Sequence, residues 1–307
     1  MDGMYGVKLY DPRFCTDRTI DLMEENGFNT VYLGRDALVP EFTEELSRRG
    51  FFWNIVEPVF LASEGEDLAV LEDGSPASDS WVRFACPSDA GHLGLVSERI
   101  SSDIEIFDPP GISLDFMRFF QFWEMTRPSA DPSKLPASCF CPRCRKQLEG
   151  VSDVGSWRQM TIGETADRLC SEARRLKPKL RIGIHCVPWK RDLYDGAIME
   201  IIGQNFADLA KIGDYLTPMI YHHMMHREPS YITELMDDMV AQGCKSVLPS
   251  IQVREGYRTD TMGAAEFAEA LERALESPSM GVLLYKWEDI ADDSVRLKAV
   301  RSALRGF

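Results

Sequence analysis

The chain has 307 residues, 44% hydrophobic, 10% aromatic and 27% charged, a balance that supports a sizeable buried core and excludes disordered, fibrous and low-complexity classes. Forty-nine acids against 34 bases give a net charge of −15 with no block of Lys and Arg, which argues against nucleic acid or an anionic membrane as a partner. Eight cysteines are too sparse for a disulfide scaffold, and three of them crowd into six positions, which points to thiolate chemistry in a reducing compartment.

The N-terminal MDGMYGVKLYDPRF has no basic segment followed by an apolar stretch, and no run of about 18 apolar residues occurs, so a cytoplasmic protein is expected. Length alone allows two domains or one α/β barrel of about 250 residues plus insertions. The order of elements decides between them. Apolar or β-branched runs fall at 5–10, 29–34, 51–60, 111–119, 180–187, 214–221, 245–253 and 281–288. Between most of them lie segments with apolar residues at helical spacing, such as DRTIDLMEENG, PEFTEELSRRG, SYITELMDDMVAQG and AAEFAEALERALES. The strands read apolar throughout, as they do when both faces are covered, and ADDSVRLKAVRSALRG supplies a closing helix. Eight strands alternating with helices predict a single α/β domain over 1–307, a (β/α)8 TIM barrel, with an open eight-stranded sheet as the alternative. Two connections are long, 58–110 with one helix near 91–103, and 119–155. Both follow strands on their C-terminal side and should cover the same mouth.

In the second of these, Ser-Cys-Phe-Cys-Pro-Arg-Cys-Arg places Cys139, Cys141 and Cys144 in a C-x-C-x-x-C array. Zinc takes four tetrahedral ligands, so three thiolates ask for a fourth, and Cys86 in RFACPSDAGH is the best candidate. Four thiolates leave no open position for water, which makes a Zn2+ ion here structural, stapling a loop region at 80–150. The bland alternative is a set of neighbouring reduced thiols. Cys15, Cys170, Cys186 and Cys244 read as isolated thiols.

The array C-F-C-P-x-C with an upstream C-P resembles the cysteine zinc site of family-42 β-galactosidases. GISLDFMRFF and DYLTPMIY resemble strands of the broader glycoside-hydrolase-like (β/α)8 barrels, which read D-G-I-x-L-D-x-x-R and D-x-x-x-P-M-x-Y. The resemblance covers about 80–290 and implies a carbohydrate substrate. It has a limit: the galactosidases end strand four with Asn-Glu where this chain has Leu114-Asp115, and a chitinase-like pattern needs Glu where this chain has Met117.

Residues ending each strand run form the candidate site, because barrel chemistry sits at the C-terminal rim. Glycoside hydrolysis needs two carboxyl groups. Asp115 is the first choice, with Glu288, then Glu57, then Glu255 as partner. Arg118, His185, Tyr221, His222, Gln252, Arg254, Lys286 and Trp287 are the candidate substrate contacts, Trp287 as an aromatic platform for a sugar ring and Trp123 and Trp189 as weaker ones. Each has a structural alternative: Asp115 as a loop cap paired to Arg118, His185 as a buried histidine, the tryptophans as packing. His222, His223 and His226 in YHHMMH are not expected to bind a second metal, since adjacent histidines on a strand end point to opposite sides.

The expected function is therefore hydrolysis of a small or trimmed glycan by carboxylate acid/base catalysis. The alternatives are a non-catalytic carbohydrate-binding barrel and a redox or zinc-sensing role for the cysteines. No phosphate-binding G-x-x-x-x-G-K-[ST], dinucleotide G-x-G-x-x-G or nucleophile-elbow G-x-S-x-G occurs, so no organic cofactor is expected. The sequence leaves the oligomeric state open, a homo-oligomer included.

Overall fold

The computed structural model describes residues 3–304. Eight parallel strands form the barrel: β1 (Met4–Leu9), β2 (Thr30–Leu33), β3 (Phe52–Pro58), β4 (Gly111–Asp115), β5 (Arg181–Cys186), β6 (Tyr215–Pro218), β7 (Ser250–Gln252) and β8 (Gly281–Tyr285). They pair in the order β6-β5-β4-β3-β2-β1-β8-β7, and parallel bridges Leu216–Val247 and Met219–Ser250 bring β6 against β7 to complete the ring. Helices α1 (Asp17–Glu25), α2 (Pro40–Arg48), α3 (Ala90–Phe107), α4 (Val154–Leu176), α5 (Phe206–Ile212), α6 (Ser230–Ala241), α7 (Ala264–Glu276) and α8 (Ser294–Leu304) surround it. The expected TIM barrel is the fold found. Among the described residues no helix is long and apolar enough to cross a membrane.

The alternation of strand side chains explains two separate cores. Outward residues such as Val7, Leu9, Val31, Leu33, Ile55 and Ile112 pack against the helices in one large cluster. Inward residues Met4, Tyr32, Val56, Tyr215, Leu248 and Leu283 fill the barrel in a smaller one. The Tyr32 and Tyr215 hydroxyls meet at 2.8 Å and the Tyr215 hydroxyl donates to Asn54 Oδ1 at 3.3 Å, so the buried phenols are satisfied. Room for these rings comes from glycine: a Cβ on Gly183 would lie 2.6 Å from the Tyr215 ring, and one on Gly111 only 2.1 Å from Asn54 Oδ1.

Helix starts follow the sequence. Thr16 caps α1, Asp89 caps α3, Asp153 caps α4 and Asn205 caps α5, each with its side-chain oxygen accepting a first-turn N–H. Both long connections are ordered over the mouth. The one after β3 carries a small hairpin, Ser78–Asp79 against Val82–Arg83, and the one after β4 carries short helices including Trp123–Met125 and Pro142–Gln147.

The structure differs from expectation at several strand ends: the runs 111–119 and 214–221 stop at Asp115 and Pro218. Helical backbone replaces strand at Trp287–Ile290, directly after β8 stops at Tyr285. The seventh run narrows to the three residues of β7.

Candidate active site and metal centre

The inward face of the upper barrel changes from apolar to polar at Lys8, Asp115 and His185. A cavity of about 450 Å³ opens above them, lined among others by Lys8, Asp115, Arg118, Glu124, Tyr221 and Lys286. Strand register explains the grouping: Pro58 pairs with Asp115, and the Val59 N–H donates to the Asp115 carbonyl at 2.8 Å, so Asp115 ends β4 level with the mouth.

Lys8 lies only 1% exposed on β1. Its Nζ donates to His185 Nδ1 at 3.2 Å and to the Tyr221 hydroxyl at 3.3 Å, and it stands 5.6 Å from the centre of the Tyr285 ring. Tyr221 and Tyr285 stack with centroids 4.9 Å apart, forming an aromatic wall. Burial lowers the Lys8 ammonium to about 8, opposed by the charge of Asp115. Burial likewise drives His185 down to about 3, so its ring is neutral near pH 7, accepts at Nδ1 and carries a hydrogen at Nε2, an atom with no partner.

Two carboxyls in this cavity are pushed in opposite directions. Burial by itself would raise Asp115, but His185, the Lys8 ammonium, the Phe116 N–H at 2.7 Å and Arg118 together hold it below the ordinary carboxylate range. With His185 neutral, Lys8 is the standing positive charge facing it. Glu124, in the helical turn Trp123–Met125, is raised by burial to about 7, opposed by Arg118 and reinforced by Asp115. Its Oε2 is buried and has no partner among the described residues. Arg118 lines the same cavity; its guanidinium stacks 4.7 Å over the Phe84 ring and donates to the Gln121 carbonyl at 2.6 Å, and burial lowers it to about 10, opposed by the charges of Glu124 and Asp115.

Of the residues singled out from sequence, the structure gathers Asp115, Arg118, Tyr221 and Lys286 around the cavity, with His185 beneath Lys8. It places the others elsewhere. Glu57 faces out of the barrel, where Arg35 (2.8 Å) and Arg99 (2.5 Å) grip both oxygens. A one-residue step along β3 decides this, since Val56 takes the inward position. Glu288 belongs to the turn after β8 and spends Oε1 on the N–H groups of Tyr10 and Asp11, at 2.6 and 2.7 Å, stapling the end of β1. Trp287 is fully buried edge-on to Phe28 and is no sugar platform; Trp123 and Trp189 are buried too. Gln252 is used up by the Met224 N–H and the Arg254 carbonyl, and Arg254 reaches the Asp289 carbonyl and Asp293.

The histidines correct a second expectation. His222 and His223 do not diverge, because residues 222–226 form a turn instead of a strand; both reach Glu266 of α7, His222 Nε2 at 3.1 Å and His223 Nδ1 at 2.7 Å. Sequence reasoning missed Lys8 and Glu124. Lys8 is the only charge in the run 5–10, a signal legible in the sequence; Glu124 sits in an irregular loop that gives no periodicity to read.

Cys86, Cys139, Cys141 and Cys144 converge. Their sulfurs lie within 4.8 Å of one another, with Cys86 Sγ 3.4 Å from Cys144 Sγ and 3.8 Å from Cys141 Sγ. Four thiolates about 2.3 Å from a tetrahedral ion stand about 3.8 Å apart, so this set fits a metal ion. The surroundings are built around it: the Val70 N–H donates to Cys139 Sγ at 3.4 Å, and Arg143 pairs with Asp89 at 2.9 Å, joining the two long connections.

The TIM-barrel fold is similar to that of solved glycoside hydrolases. The PgaB (BpsB) glycoside hydrolase domain from Bordetella bronchiseptica superposes with a TM-score of 0.74 over 99% of both chains, at 13% identity. A β-galactosidase from Bacillus circulans sp. alkalophilus gives 0.71 at 9% identity, and a family-42 β-galactosidase from G. stearothermophilus gives 0.69 at 12%. This chain covers only 55% and 56% of those two galactosidases. At such identities the likeness is one of fold. No family model matches the chain, nor does any curated protein sequence.

Proposed function

We propose that the protein is a glycoside hydrolase in which Glu124 is the general acid and Asp115 the ionised partner, acting on a glycan held at the C-terminal mouth of the barrel. One observation carries the proposal: two carboxyls share one cavity, and their environments push them apart, Glu124 up to about 7 and Asp115 below its ordinary range. Such a split assigns acid and base roles in hydrolases that work near neutrality. Lys8 and Arg118 supply the positive charge that keeps Asp115 ionised. The fold likeness to glycoside hydrolases supports the same reading without choosing a sugar.

The four cysteines are proposed to hold zinc, the ion best matched to four thiolates in a closed tetrahedron, with a structural role. The thiolate set fixes the loops that carry Glu124 and Trp81.

The test is hydrolysis of a panel of aryl glycosides by the wild type, Asp115→Asn and Glu124→Gln at equal metal content. Turnover by the wild type is expected, lost by at least about a hundredfold in Asp115→Asn on every member and in Glu124→Gln on members with poor leaving groups. Turnover that survives both substitutions would move the chemistry elsewhere. A wild type that binds sugars intact across the panel would favour a non-catalytic carbohydrate-binding barrel.

A further inference from the structure

The mouth is divided by a bridge between two loops that topology places far apart. Trp81 belongs to the hairpin after β3 and Tyr257 to the connection after β7, and in an eight-stranded barrel these strands are four positions apart, on opposite sides. Yet Trp81 Nε1 donates to the Tyr257 hydroxyl at 2.5 Å. Phe116 braces Trp81 and Phe122 braces Tyr257, each edge-on, at 6.1 and 5.2 Å. The indole and the phenol are 51% and 41% exposed, so their remaining faces are free to pack on a ligand.

A second, smaller cavity of about 150 Å³ adjoins the first, and Glu124, Met224 and Tyr257 line both. The boundary between the cavities therefore runs past the Glu124 carboxyl. A general acid must reach the oxygen that links the cleaved sugar to its leaving group. With Asp115 and Lys8 confined to the larger cavity, the leaving group falls in the smaller one.

The smaller cavity has its own charge. Arg127, Arg258, His226 and Asp260 line it. Arg258 is committed, pairing with Asp260 and donating to the His223 carbonyl at 2.9 Å. Arg127 is exposed and makes no ion pair among the described residues; its backbone carbonyl accepts from the Tyr194 hydroxyl and the Ala130 N–H, each at 2.9 Å. His226 is held by a left-handed backbone (φ 57°) in the same wall, and burial together with Arg258 and Arg127 lowers it below its ordinary value. Arg127 is thus a guanidinium without an ion pair among the described residues, in a cavity that Glu124 also lines.

We propose that this smaller cavity is the leaving-group subsite, that Trp81 and Tyr257 form an aromatic strap over the junction, and that Arg127 selects a saccharide carrying an anionic substituent. A carboxylate or a sulfate would serve as the anion. The assignment of sides rests on the acid role given to Glu124, but the binding preference can be read without turnover.

Binding of D-glucuronate, glucose 6-sulfate and glucose to the intact protein, followed by the change in tryptophan fluorescence and repeated in Arg127→Gln, tests it. Trp81→Phe identifies the part of the signal that comes from the strap. At least one acidic sugar should bind at least tenfold more tightly than glucose, and the ratio should fall to within about twofold in Arg127→Gln. Preference for both acids means that charge alone is read; preference for one identifies the anion. Equal binding of glucose, or no saturable response to either acidic sugar, would overturn the proposal. So would a preference that survives Arg127→Gln, which would put the anion in the deeper cavity with Lys8 and Arg118. Failure of aryl glycoside hydrolysis would sink the catalytic reading while leaving this measurement interpretable.

Discussion

Lys8 shows most clearly how one side chain sets the chemistry around it. An ammonium almost without exposure survives only where anions and aromatic faces replace water, and Asp115, Tyr221 and Tyr285 do so here. Lys8→Met removes the positive charge facing Asp115 and should raise the Asp115 carboxyl. The acidic limb of the kcat/KM profile should then move to higher pH; an unmoved limb would show that Asp115 is held low by something else. The acids expected at the site divide by what surrounds them and not by residue type. Asp115 faces the cavity, Glu57 is neutralised by two arginines, and Glu288 is a staple for backbone N–H groups. Glu57→Gln should therefore cost stability, about 1–3 kcal/mol, as its arginines lose a buried acceptor. Urea unfolding checks this, and no loss of stability would contradict the account of Glu57. These distinctions were only partly legible in the sequence, because strand parity can be read from a run but the residue at which the strand stops cannot. Once β8 ends at Tyr285, Trp287 turns into the helical layer and Glu288 turns back toward β1.

The two long connections behave as one element. Cys86 comes from the first and Cys139, Cys141 and Cys144 from the second, while the Phe140 N–H of the second donates to the Val70 carbonyl of the first at 2.8 Å. The cysteine spacing makes this staple legible in the sequence, since C-x-C-x-x-C needs little folding to converge. What the loops carry is not legible there: Glu124 and Trp81 lie in stretches without periodicity, and their places are set by contacts such as Phe122 on Tyr257. Cys141→Ser should release the metal, and limited proteolysis should then cut first within 59–89 and 116–153 while the far-ultraviolet circular dichroism of the barrel persists. Wild-type metal content in the variant would refute a four-thiolate site. Because Glu124 rides on the second connection, the same variant should lose turnover although no cysteine lines the cavity.

At the scale of the molecule, the outer shell of apolar strand–helix contacts stabilises the barrel, and buried polar atoms without partners among the described residues, such as Glu124 Oε2 at the mouth and Ser113 Oγ within the barrel, oppose it. The sequence revealed the barrel because the alternation of strands and helices repeats eight times; the site is assembled once, from loops and strand ends. The raised Glu124 carboxyl links fold and pH. Between its ordinary value of 4.5 and about 7 the folded chain binds a proton that the unfolded chain has released, so this group's contribution to stability declines as pH rises through that window. Glu124→Gln should consequently be more stable than the wild type at pH 8 and gain little at pH 4; an equal difference at both would mean the carboxyl is not raised.

The central claim is that Glu124 delivers a proton to the leaving group while Asp115 stays ionised. The most direct measurement is the pH dependence of kcat/KM for the wild type and Glu124→Gln, each with a poor and an activated aryl leaving group. The account predicts a wild-type profile that falls as pH rises through about 7, and a variant that loses this limb and regains turnover only with the activated leaving group. An alkaline limb retained in Glu124→Gln, or a loss that is the same for both leaving groups, would contradict it.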